Sequence, residues 1–137
     1  MKINTVLFIG VFVVLGFFMG ACDSLDDNLN SYAGYSIIIE QYPSSSTLSL
    51  TNLSQSYSGN IIFEAKIYDK GGTEQTDISD ITWYLSSNIP NDKFSPVYSG
   101  STKRMSLNTS FAVPNDNVWV KAGWASLISS MTVTFTD

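Results

Sequence analysis

Four acidic side chains crowd one short stretch of the sequence, and their chemistry is the first to consider. They are Asp69, Glu74, Asp77 and Asp80. Two carboxylates at a suitable separation could hydrolyse a glycosidic bond, and several together could bind Ca²⁺ through their oxygens. A solvated acidic loop is the third interpretation. The composition favours it, because the whole chain is acidic, with a formal net charge of −5.

The composition argues against most other catalytic chemistry. The chain has no His and a single Cys, at position 22, so neither a Ser–His nor a Cys–His nucleophile pair can form. We find no Ser-x-x-Lys motif, Gly-rich phosphate loop or cluster of zinc ligands. The seven basic residues are scattered, whereas nucleic-acid binding needs clustered Lys and Arg. We therefore expect no catalytic residues, no metal and no nucleic-acid partner.

Aromatic side chains suggest ligand binding instead. The candidate binding surface consists of Tyr84, Trp119 and Trp124. Tyr84 and Trp119 have the outward parity of their predicted strands, and Trp124 lies in an unusually apolar predicted turn, whereas Trp83 has the parity of a core residue. Exposed aromatic surfaces bind sugars, peptides or partner proteins. The alternative for Trp124 is that it caps the core.

The elements that must position these residues are β-strands, because apolar residues alternate with a period of two from Ser36 onward. Turn residues such as Gly, Pro, Asn and Asp separate the runs. About seven short strands with one apolar face predict an all-β, antiparallel β-sandwich. A closed barrel is the structural alternative. The predicted strands centre on 37–40, 47–51, 61–68, 81–86, 105–111, 118–122 and 131–135.

The order of these features resembles the immunoglobulin-like fold. Ile81 to Leu85, with Trp83 at its centre, looks like strand C, whose Trp packs between the two sheets. In the same resemblance 61–68 corresponds to strand B, 105–113 to strand E, 116–122 to strand F and 130–136 to strand G. The disulfide and the corner Tyr of antibody domains are absent, since no second Cys exists and Val120 stands where that Tyr is often found. The resemblance to the immunoglobulin-like fold therefore does not imply a close relationship to antibody domains.

The N-terminus has the layout of a secretory signal. Lys2 supplies a positive charge, an apolar run extends from Val6 to Met19, and the small residues Gly20 and Ala21 precede Cys22. This segment, 1–21, is expected to be helical. An uncleaved anchor helix and an ordinary signal peptide with an incidental Cys are the alternatives, although the 17 residues of 5–21 are short for a membrane span.

Met19-Gly20-Ala21-Cys22 resembles the lipobox of bacterial lipoproteins, with Met19 in place of the usual Leu. The resemblance implies cleavage before Cys22 and a diacylglycerol and acyl chain covalently bound to Cys22. Several lipid chains suffice for stable anchoring. The segment 22–35 would then be the lipidated Cys and an acidic flexible linker, or part of a sorting signal, and 36–137 would be the folded domain.

These observations predict a lipid-anchored lipoprotein of the bacterial cell envelope, at the outer membrane or the cell surface. Its mature part would be a non-catalytic immunoglobulin-like interaction or structural module, for example in adhesion, with a protein or glycan ligand. The alternative is a carbohydrate-binding accessory lipoprotein of a surface glycan-degrading system. No cofactor other than the lipid on Cys22 is expected.

Overall fold

The structure, a computed structural model, describes residues 32–137. The predicted signal sequence with its helix, Cys22 and the first part of the predicted linker lie outside these residues. Residues Gly34–Asp137 form one compact unit. Its strands and its α-helix are β1 Ser36–Tyr42, β2 Thr47–Ser49, α1 Leu50–Tyr57, β3 Asn60–Tyr68, β4 Thr82–Leu85, β5 Phe94–Tyr98, β6 Ser101–Asn108, β7 Asn117–Trp124 and β8 Leu127–Thr136.

The strands form two four-stranded sheets. The first sheet has the order β1-β3-β6-β5 and the second the order β2-β8-β7-β4. All neighbouring strands are antiparallel except β2 and β8, which run parallel. The prediction of an all-β, mainly antiparallel sandwich is confirmed, with eight strands in the described part of the chain.

The core lies between the sheets and follows from the alternation of side chains along each strand. On β3 every second residue from Ile61 to Ile67 is at most 1% exposed. On β7 the residues Val118, Val120 and Ala122 are buried in the same way, and Phe135 of β8 is fully buried. Removing these apolar surfaces from water is the main force that holds the two sheets together.

The prediction that a strand continues from Leu48 through Thr51 is wrong, because the helix α1 begins at Leu50. Ser49 ends the short β2 and caps the helix, accepting a hydrogen bond from the main-chain N–H of Asn52. Leu53 is only 1% exposed, and Leu50 and Tyr57 pack against the core. Spacings of three and four residues put these side chains on one helical face, which the strand alternation at Leu48 and Leu50 concealed.

The sequence also missed one strand and misplaced the start of another. Strand β5 carries Pro96 and is mostly exposed, so it lacks apolar alternation and lies at a sheet edge, where Pro is tolerated. Strand β6 begins at Ser101 and ends at Asn108, whereas 105–111 was predicted. Polar residues at the beginning of β6 hid the first part of the strand. The strand ends at Asn108, and the hydroxyl of the next residue, the buried Thr109, donates to the main-chain oxygen of Gly59.

Strands β4, β7 and β8 lie side by side and position the aromatic residues. Strands β7 and β8 form a hairpin that pairs Asn117 with Thr134 at one end and Trp124 with Leu127 at the other. Strand β4 pairs with the other edge of β7, with Tyr84 opposite Lys121. Strand β7 is therefore hydrogen-bonded on both sides.

Candidate functional site

The outer face of the second sheet carries two of the three aromatic residues that the sequence predicted as a binding surface. The inward parity of β7 belongs to Val118, Val120 and Ala122, so Trp119 and Lys121 point outward. Tyr84 points outward from β4. We define the aromatic face as the outward side chains Thr82, Tyr84, Trp119, Lys121 and Ile128.

The aromatic face exposes a large apolar area. Tyr84 is 50% exposed, Trp119 is 38% exposed and Ile128 is 67% exposed. Because Tyr84 pairs with Lys121, and Trp119 lies two residues before Lys121, the two residues occupy diagonal positions across β4 and β7. The Tyr84 ring inclines toward Gly123, which lies on the other side of Lys121 from Trp119. Contiguous exposed apolar surface of this kind is typical of interaction sites.

Lys121 lies two residues after Trp119 on β7 and opposite Tyr84 on β4. Its ammonium Nζ is 4.9 Å from the centroid of the Trp119 ring, which is within the range of a cation–π interaction. Such a contact holds the lysine side chain against the sheet and orients the indole. Lys121 was not among the binding residues predicted from the sequence. Its position two residues after Trp119, on the same face of the predicted strand, was the signal that could have identified it.

Gly123 makes room for the ring of Tyr84. A Cβ atom built on Gly123 would lie 3.4 Å from Tyr84 Cε2, so the ring lies directly over the backbone of β7. Gly123 pairs with Thr82 on β4 and with Ile128 on β8. The absence of a side chain at this position leaves a shallow depression beside Tyr84. It is lined by Asp80, Thr82, Tyr84, Gly123, Trp124, Ala125, Ser126, Leu127 and Ile128.

The backbone under Trp119 is held on the β4 side by Ser86. The Ser86 N–H donates to the main-chain oxygen of Trp119 over 3.0 Å, and the Trp119 N–H donates to Ser86 Oγ over 3.2 Å. Ser86 is only 6% exposed. The buried hydroxyl therefore extends the pairing of β4 with β7 by one residue and keeps the indole at a defined place on the sheet.

The Trp124 indole does not lie on the aromatic face with Tyr84 and Trp119. It has the inward parity of Ala122 and packs against the core, with its ring centroid 6.1 Å from that of Tyr35. It also lines the depression beside Tyr84. The structure thus brings Tyr84 and Trp119 together on one face and places Trp124 at the end of the core. Ile128, which the sequence could assign equally to the core, is the exposed apolar residue at this end.

Trp83 belongs to the core, as its parity predicted. Its ring contacts Phe94, with 5.7 Å between centroids, and Phe63, with 6.5 Å. Its indole Nε1 donates to the main-chain oxygen of Thr102.

The four acidic residues before β4 have separate partners. Asp69 Oδ1 accepts from the N–H groups of Gly71 and Thr73, so this carboxylate organises its own loop. Glu74 forms an ion pair with Lys103 at 3.2 Å, while Asp77 and Asp80 accept hydrogen bonds from the hydroxyls of the residues that precede them. Between residues 32 and 137, no three His, Cys, Asp or Glu side chains lie close enough together to hold a metal ion.

The outer face of the first sheet is charged and internally paired. Lys66 Nζ lies 2.9 Å from Glu40 Oε2, and Arg104 forms an ion pair with Glu64. The hydrogen bond that Lys66 donates to Glu40 raises the pKa of Lys66, and the one that Arg104 donates to Glu64 raises the pKa of Arg104. Since the charges on this face neutralise one another, it offers less to a charged ligand than the aromatic face does.

In comparisons with known proteins, no family model, no curated protein and no solved structure matches this chain. Among the residues that the structure describes, no helix is both long enough and apolar enough to span a bilayer. The exposed side chains of the domain and the N-terminal sequence are therefore the basis for a proposed function.

Proposed function

We propose that this chain is a lipid-anchored lipoprotein of the bacterial cell envelope whose domain, residues 36–137, is a non-catalytic interaction module. The observation that carries the binding role is the joint exposure of Tyr84 and Trp119 on one face of the second sheet. A buried pair of rings would stabilise the fold, whereas an exposed pair is available to a ligand.

The anchor is inferred from the N-terminal sequence. Lys2, the apolar run from Val6 to Met19 and the lipobox-like Met19-Gly20-Ala21-Cys22 support lipidation of Cys22. Lipid chains on Cys22 would hold the protein at the outer membrane or the cell surface without any membrane-binding surface on the domain.

The module is proposed to be immunoglobulin-like. In immunoglobulin sandwiches the strands A, B, E and D form one sheet, and C, F and G form the other. The orders β1-β3-β6-β5 and β2-β8-β7-β4 follow that arrangement if β1 is A, β3 is B, β4 is C, β5 is D, β6 is E, β7 is F and β8 is G. The placement of Trp83 on β4, packed against the core, also supports this assignment.

The lipoprotein proposal is tested by metabolic labelling. The full chain and its Cys22→Ser variant are expressed in a Gram-negative host that is fed an alkyne-tagged palmitate. We expect label on the wild-type chain and none on the variant. Equal absence of label from both chains would refute lipidation. Protease treatment of intact cells then distinguishes a surface-exposed domain, which is cut, from a periplasmic one, which is protected.

A second candidate function is carbohydrate binding, in an accessory lipoprotein of a surface glycan-degrading system. The observation that favours it is the position of hydroxyl side chains beside the aromatic rings, since Trp119 pairs with Thr132 and Lys121 with Ser130. Aromatic rings stack on the apolar face of a sugar while hydroxyl groups bond to its edges. Retention of the protein by an immobilised glycan, lost in a Trp119→Ala variant, is the expected result.

A further inference from the structure

We infer that the aromatic face binds an acidic glycan, in which a sugar ring stacks on Trp119 and a sugar carboxylate pairs with Lys121. This inference rests on the proposed binding role of that face and specifies its ligand.

Lys121 differs from most cations of the domain in its partner. Four of the basic side chains in residues 32–137 form ion pairs with carboxylates: Lys66 with Glu40, Lys93 with Asp92, Lys103 with Glu74 and Arg104 with Glu64. No described carboxylate forms such a pair with Lys121, whose ammonium lies over the Trp119 ring instead. Its charge is therefore available to an external anion, in a position fixed by the indole.

The strands around Lys121 are free of acidic residues on this face. Its neighbours at outward positions of β7, β8 and β4 are aromatic, apolar or hydroxyl-bearing: Thr82, Tyr84, Trp119, Ile128, Ser130 and Thr132. Asp80 lies beyond Thr82, which pairs with Gly123 and not with Lys121. In a chain with a net charge of −5, Lys121 supplies a positive charge that attracts an anion to the outward side of these strands, while Asp80 lines the depression beside Tyr84.

The combination of groups matches a carboxylate-bearing sugar ring. The C–H face of such a ring is apolar and packs on an exposed indole or phenol ring. Its carboxylate accepts a charge-assisted hydrogen bond from a lysine, and its hydroxyl groups can bond to Ser130 and Thr132. Strand β7, which carries Trp119 and Lys121, is already paired on both sides and cannot add a peptide strand. Strand β4 lies at the edge of the sheet, so an acidic peptide is the competing ligand that the poly-glutamate probe tests.

The test uses the full chain, solubilised in detergent, and three immobilised acidic polymers: polygalacturonate, hyaluronan and polysialic acid. Each is compared with its carboxyl-reduced, neutral counterpart. We expect retention on at least one acidic polymer and binding about tenfold weaker to its neutral counterpart, as for the loss of one hydrogen bond to a charged group. Lys121→Gln should weaken binding to the acidic polymer to the same extent, whereas Lys121→Arg should retain it.

Trp119→Ala should abolish binding to both forms of the polymer. Lys70→Gln and Tyr98→Ala, which change a lysine and an exposed tyrosine outside the aromatic face, are the matched controls and should bind as the wild type does.

Binding of the neutral form that depends on Trp119 but not on Lys121 would overturn the acidic ligand and leave the carbohydrate-binding candidate standing. Retention on poly-glutamate with none on any glycan would overturn the glycan and indicate a protein partner. Failure to bind any of these probes would overturn the inference, while the labelling of Cys22 tests the lipoprotein proposal separately.

Discussion

The indole Nε1 of Trp83 donates a hydrogen bond to the main-chain oxygen of Thr102 over 2.6 Å, and this bond joins the two sheets. Trp83 lies on β4 of the second sheet and Thr102 on β6 of the first. The pairing of β6 with β3 ends at Arg104, so Thr102 is free to bond to the segment before β4. The Thr102 N–H donates to the main-chain oxygen of Ser79, and its hydroxyl accepts from the Ile81 N–H over 2.6 Å.

The first prediction concerns this link between the sheets. Thr102→Val keeps the shape of the side chain but leaves the N–H of Ile81, a residue only 4% exposed, without its acceptor. We expect a loss of about 1–3 kcal/mol in the free energy of unfolding, the cost of an unsatisfied buried donor. Chemical denaturation measures it. Thr132→Val, at an exposed strand position, is the control and should change stability little; equal effects of the two substitutions would contradict the assigned role.

The second prediction concerns the cap of helix α1. Ser49→Ala removes the hydroxyl that accepts from the Asn52 N–H over 3.0 Å, and we expect the free energy of unfolding to fall by about 1 kcal/mol. Ser54→Ala, at an exposed position within the helix, provides the comparison and should have no destabilising effect. Thermal or urea unfolding distinguishes them, and an unaffected Ser49→Ala variant would mean that the cap does not stabilise the helix.

The third prediction concerns alkaline pH. The hydrogen bond that Lys66 donates to the Glu40 carboxylate raises the pKa of Lys66 in the folded protein. The stabilisation is complete below the ordinary lysine pKa of about 10.4 and is lost as the pH rises through the folded-state value. The difference in unfolding free energy between the wild type and Lys66→Met should therefore shrink as the pH rises above the ordinary lysine pKa of about 10.4. Lys70→Met provides the baseline, and a difference that stays constant with pH would argue against the pair.

The fourth prediction concerns the space that Gly123 leaves for Tyr84. Gly123→Val places a branched side chain where the Tyr84 ring lies, since even a Cβ would be 3.4 Å from that ring. We expect the domain to remain folded, because Val suits a strand, and binding at the aromatic face to weaken. An NMR contact between the Tyr84 ring and the Gly123 Hα protons checks the geometry in the wild type. Its absence, or unchanged ligand binding by the variant, would show that the ring does not depend on Gly123.

The alternation of residues by itself determined the sandwich and the core of its long strands. Ile61 to Ile67 and Val118 to Ala122 alternate cleanly, because one face of each strand is buried and the other is in water. This alternation did not predict helix α1 or strand β5. Leu48 and Leu50 alternate as in a strand and concealed the helical spacing of Leu50, Leu53 and Tyr57. Strand β5 lies at an edge, where few side chains need to be buried.

Local sequence also placed Tyr84 and Trp119 on the outward parity of their strands, but only the tertiary structure decided that they are neighbours. Parity is a property of one strand, whereas adjacency depends on the order of strands in the sheet, which involves residues far apart along the chain. The same holds for Gly123 beneath Tyr84, which lie on different strands. The bond from Trp83 to Thr102 is a further case, because it joins two sheets and no periodicity within either strand encodes it. The sequence alone therefore determined the faces of the strands that alternate cleanly, and the packing of the two sheets decided which side chains meet.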